Sequence, residues 1–155
     1  MVFIVGVVVG CNSMSTGPAH ETVLTATFAL ADTTGKRTTT FHSGDQFDMF
    51  FTLKNTMEEA LTFHYTLPPV YFQILQYDSV IASSIDGYTF PAIVLGGSVA
   101  PGEALSGSWR APTTPAQEPR VILAPGVYQA NVIFSTFDQV RIKTVAQINF
   151  LVVPK

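Results

Sequence analysis

Between Gln46 and Asn55 the chain reads QFDMFFTLKN, in which Phe47, Met49, Phe51 and Leu53 alternate with Asp48, Thr52 and Lys54. A period of two sends successive side chains to opposite faces of an extended strand, so one face of this segment is expected in a core. Only Phe50 breaks the pattern. Asn55, Thr56, Glu58 and Glu59 then end the run, and alternation resumes at Leu61, Phe63 and Tyr65. A hairpin-like reversal is the natural reading of that interruption.

The same period recurs along the chain. Leu24, Ala26, Phe28 and Leu30 share a face, and the polar stretch from Ala31 to Thr40 after them reads as a hairpin loop or a disordered excursion. Leu67-Pro68-Pro69 is expected to end one strand before Val70 to Tyr77 begins the next, because neither proline can donate to a ladder. A short run from Val80 to Ala82 follows, and Pro91 demotes Tyr88 to Leu95 to an edge strand or a loop. Leu105, Gly107 and Trp109 share one face. The stretch from Arg110 to Arg120 has three prolines and no periodicity, and reads as a long surface loop. Tyr128, Ala130, Val132 and Phe134 mark a further strand, and Ala146, Ile148, Phe150 and Val152 the last. Eight or nine short strands, with no segment of helical period, predict an all-β protein, an antiparallel β-sandwich.

Composition narrows the functional classes. A chain of 155 residues, 47% hydrophobic, suits one domain with a real core. Only 12% of residues are charged and the net charge is −3, so the basic footprint that a nucleic-acid backbone requires is missing. The single cysteine, Cys11, excludes an intrachain disulfide and any multi-cysteine metal site. No metal or other cofactor is expected.

The first ten residues, MVFIVGVVVG, are apolar and uncharged, too short to span a bilayer as a helix but suited to the core of a secretory signal. Val8-Val9-Gly10-Cys11 resembles the lipobox of exported bacterial lipoproteins. That resemblance implies cleavage after Gly10, lipidation of Cys11, and export to the cell envelope on a lipid anchor. Residues 1–10 would then be the signal, 11–20 a lipidated tether rich in polar residues, and 21–155 the domain. No Lys or Arg precedes the apolar run, although a signal normally has a positive start, so either the true start lies upstream of Met1 or the segment is a buried first strand.

A second resemblance runs from about Phe41 to Phe134. Phe51-Thr52-Leu53-Lys54-Asn55-Thr56, Tyr71-Phe72-Gln73-Ile74, Val99-Ala100-Pro101-Gly102-Glu103 with Trp109 beyond it, and Leu123-Ala124-Pro125-Gly126-Val127-Tyr128 are similar, in order and spacing, to motifs of the BsuPI-type intracellular proteinase inhibitor family. The family likeness implies an immunoglobulin-like sandwich and a protein partner, a serine proteinase. Read physically, its motif residues are structural: Pro-Gly pairs make tight turns, and Trp109 and Tyr128 are expected in the core.

No catalytic constellation stands out, and the protein reads as a non-enzymatic binding module. His42-Ser43-Gly44-Asp45 holds nucleophile and base types side by side, where they rarely face each other, and is expected to be a turn. His20, His42 and His64 are scattered, and Asp45, Asp48, Glu58 and Glu59 lack the spacing of a calcium loop. An inhibitor needs an exposed, stiffened segment that a proteinase binds like substrate. The candidate is Arg110 to Leu123: Pro112, Pro115 and Pro119 limit its freedom, and Arg120, Val121, Ile122 or Leu123 would fill a specificity pocket, with Arg110 at its start. The competing expectation is an assembly lipoprotein that pairs with an envelope partner through its sheet edges.

Overall fold

A computed structural model describes residues 4–6, 24–112, 121–136 and 143–155. Cys11, the tether, Pro115, Pro119 and Arg120 lie outside the described residues. The strands are β1 (Ile4–Gly6), β2 (Leu24–Asp32), β3 (Thr40–His42), β4 (Phe47–Asn55), β5 (Leu61–Gln76), β6 (Ser79–Ser83), β7 (Val94–Val99), β8 (Ala104–Ala111), β9 (Gly126–Thr136) and β10 (Lys143–Val153), and alternation is clearest in β4 and β8, whose buried and exposed positions follow each other. Together the strands form two sheets, ordered β1-β2-β4-β8 and β3-β10-β9-β5-β6, with β7 also paired to β5. The molecule is an all-β sandwich. One pair departs from the antiparallel expectation: β3 runs parallel to β10, Phe41 lying opposite Val152.

The alternating residues meet between the sheets as expected. Phe28, Leu30, Phe47, Met49 and Phe51 of the first sheet face Phe72, Ile74, Tyr128, Val132 and Phe150 of the second, all buried. Phe41 stacks on Phe47 at 4.2 Å between centroids, and Phe47 lies 5.2 Å from Phe150. Each such side chain contributes about 1.5–3 kcal/mol of burial free energy. Phe50, which broke the alternation, faces solvent. Two buried polar atoms, Trp109 Nε1 and Asn131 Oδ1, have no hydrogen-bond partner among the described residues.

Three expectations are corrected. The interruption after Asn55 is a crossing between sheets, not a hairpin: β4 pairs with β2 and β8, whereas β5 pairs with β9, β6 and β7. Asn55 makes the crossing. Buried to 1% exposure, its Nδ2 donates to the Glu59 and Val99 carbonyls, and its Oδ1 accepts from the Met57 amide. Pro68 and Pro69 do not separate two strands, because β5 runs through them. The missing donors are accommodated by an irregularity in the ladder to β9 between Tyr65 and Val70, while β7 takes the lower half of the other edge. Finally, Arg110 is not in a loop. Strand β8 continues through Ala111, and Arg110 lies opposite Asp48.

Both ends of the sandwich follow from these registers. The upper end carries Phe47, Ala111, Gly126 and Val153; the lower end carries Asn55, Ala104 and Leu61.

Candidate functional site

Three chain segments converge at the upper end, where β2 turns, β3 leads into β4, and the connection from β8 returns to β9. Asp32 closes the first turn, its Oδ1 accepting from the Thr34 amide (2.9 Å), the Thr34 hydroxyl (2.6 Å) and the Lys36 amide (3.0 Å). These bonds, that of the Thr34 hydroxyl above all, hold its carboxyl below the usual carboxylate range. His42 to Asp45 is the expected turn: the Asp45 amide bonds the His42 carbonyl, and Gly44 takes φ +82°, open to glycine at no steric cost. His42 Nδ1 lies 3.4 Å from Asp45 Oδ2. The Ser43 hydroxyl does not join them; it donates to the Leu123 carbonyl at 2.8 Å.

That last bond fixes the return segment. Leu123 is buried at 4% exposure, and the next carbonyl, that of Ala124, accepts from the Tyr128 hydroxyl at 2.8 Å. Two successive carbonyls are thus held by side chains from different elements. Directly before them Ile122 is 71% exposed. Pro112, at the other described end of the connection, is buried. A cleft of about 600 Å³ lies beside Ile122, lined also by Val121, Pro112, Phe41, Asp32 and Asp45. A large apolar side chain presented on a fixed backbone beside a cleft can anchor a protein contact; among the described residues of this end no group of acids and histidines is gathered as for a metal ion.

The sequence-derived site residues therefore take different roles. Arg110 is in the sheet, its guanidinium bonded to both carboxylate oxygens of Asp48 at 2.8 and 3.0 Å, which raises its pKa. Leu123 is a core residue and Pro112 is buried, while Val121 is half-buried and Ile122 exposed. Ser43 and Asp32 were not foreseen as contributors; a serine inside a glycine-containing turn and an Asp followed two residues later by Thr are local signals that pointed to turns alone.

No family model matches the chain, and no curated protein matches it. Among solved structures it is similar to a β-glucosidase from Listeria innocua in complex with glucose (13% identity, TM-score 0.41), covering 82% of this chain and 16% of that one. An alkylpurine DNA glycosylase from Pseudomonas fluorescens is matched at 12% identity and TM-score 0.40, over 82% of this chain and 30% of that one. A β-glucosidase of saponin metabolism from intestinal bacteria is matched at 17% identity and TM-score 0.38, over 83% and 16%. The chain thus spans a minor part of each of these proteins.

Proposed function

We propose that the protein is a non-enzymatic binding module, held at the bacterial cell envelope by a lipid on Cys11, that inhibits a serine proteinase through the connection between β8 and β9, with Ile122 as its exposed anchor. The observation that carries this reading is the presentation of Ile122: an exposed aliphatic side chain whose following residues are fixed by Leu123 burial and by the Ser43 and Tyr128 hydroxyls. A proteinase cleft selects a segment that is already extended and loses little freedom on binding. The BsuPI-like motif order supports the same class of partner, and Val8-Val9-Gly10-Cys11 supports the anchor.

Titration of the protein against subtilisin-like and trypsin-like proteinases tests the reading. Inhibition is expected, weakened at least about thirtyfold by Ile122→Ala if that side chain is the anchor, which corresponds to roughly 2 kcal/mol. Should Arg120→Ala carry the loss instead, the pocket-filling residue moves within the segment; no inhibition of either class discards the inhibitor reading. Intact mass of the native protein tests the anchor separately, an unmodified chain beginning at Met1 being the result against it.

A second reading is favoured by a different observation. Strand β8 is paired on one side only among the described residues, to β4. An assembly lipoprotein would use such an edge to pair with an envelope partner.

A further inference from the structure

The four outer edges of the two sheets are unequally protected. On β2 the edge is closed at one end by the bridge between Ala31 and Arg37, with the Thr38 amide bonded to the Leu30 carbonyl, and at the other by β1 as long as residues 1–10 remain on the chain. Strand β3 is three residues long, and the opposite edge of its sheet is divided between the short strands β6 and β7. Strand β8 is different. Its eight residues, Ala104 to Ala111, run straight alongside β4 with no register shift and have no second partner among the described residues. Nor does it carry the usual deterrents to edge pairing, a proline, a bulge or an inward-pointing charge. Its one charge, Arg110, is paired to Asp48.

What the edge would accept is written in its own sequence. Leu105-Ser106-Gly107-Ser108-Trp109 has the same pattern in either direction about Gly107. An antiparallel copy centred there places Ser106 opposite Ser108 on the solvent face and Leu105 opposite Trp109 on the core face, with Gly107 opposite itself. Each Arg110 then lies opposite Ala104 of the other copy, so no like charges meet. Every side chain stays on its own face, as a shared pleat requires. The core side of the strand needs no rearrangement, since Val70 and Phe72 already cover Gly107 from within.

We propose that β8 is a self-association edge, and that two copies of this chain pair antiparallel through it about a two-fold axis at Gly107, joining their first sheets into one. This contact is separate from the proteinase-binding segment and needs no lipid. A single pair of strands is a small interface, so the dimer is expected to dissociate on dilution.

Sedimentation of the full chain carrying Cys11→Ser, over a concentration series, is expected to show a monomer–dimer equilibrium. Ser106→Lys with Ser108→Lys sets lysines opposite each other in both cross-strand pairs and is expected to weaken the dimer roughly tenfold or more. Ser106→Lys with Ser108→Glu changes the same two positions but opposes unlike charges, and is expected to restore it. Register is read independently by mixing a Ser106→Cys chain with a Ser108→Cys chain under oxidation, where the mixed disulfide should dominate over either symmetric one. A monomer at every concentration, or two charge variants that behave alike, would overturn the proposal.

Discussion

Asp32, Ile122 and Leu123 show how far single side chains at the upper end differ in what they do. The Asp32 carboxylate accepts three hydrogen bonds that a neutral carboxyl satisfies less well, so its folded pKa lies below the ordinary 3.8. A depressed folded pKa gives stability that is fully present above the unfolded value and is lost as pH falls through the folded one. Asp32→Ala should therefore lower the melting temperature at neutral pH, and the gap to the parent should narrow below about pH 3.8 in a pH series of thermal melts. Ile122 and its neighbour separate binding from folding. Ile122→Ala removes an exposed side chain and is expected to leave the melt within about 0.5 kcal/mol of the parent. Leu123→Ala empties a core position and is expected to cost about 2–5 kcal/mol, so its effect on a partner is interpretable only with the melt beside it.

Among the elements, the ribbon of β5 and β7 at the lower end is the most tightly specified by glycine. Phe63 lies opposite Gly97 and packs on Phe134 and Tyr65, with centroids 5.3 and 5.7 Å away. A Cβ on Gly97 would fall 2.8 Å from the Phe63 ring and 3.0 Å from that of Tyr65. Neither ring can yield without leaving its aromatic neighbours, so Gly97→Ala is expected to destabilise by about 1–3 kcal/mol. At the adjacent Gly96 an added Cβ meets nothing within 4 Å, and Gly96→Ala is the control expected near neutrality. Denaturant unfolding of the two variants distinguishes a packing requirement at Gly97 from a general intolerance of the strand.

For the whole molecule, stability rests on one continuous core between the sheets, to which Trp109 contributes from β8 and Tyr128 from β9. Removing a buried aromatic costs about 3–5 kcal/mol, a large part of the 5–15 kcal/mol that holds a typical domain together. Trp109→Ala is accordingly expected to lower the cooperative melt strongly or abolish it, as read by far-ultraviolet circular dichroism on heating. An unchanged melt would mean that Trp109 does not support the core.

Local alternation was enough to place most of the strands, though not β3 or β7, and to name buried residues in them, because a pleated strand sorts side chains by parity whatever it pairs with. Phe47, Met49, Phe51, Phe72, Trp109 and Tyr128 were legible for that reason, and so was the turn at His42 to Asp45. Pairing was not legible, because backbone hydrogen bonds carry no sequence label. The segment after Asn55 looked like a hairpin until the buried Asn55 side chain tied it across to Val99 of the other sheet. Prolines 68 and 69 looked like an end until β7 and an irregular ladder carried β5 past them. At the candidate site the sequence supplied a proline-containing connection and a run of aliphatic residues. Tertiary contacts alone decided between Ile122 and Leu123: the core takes one and the fixed backbone presents the other, and parity within an irregular segment does not say which.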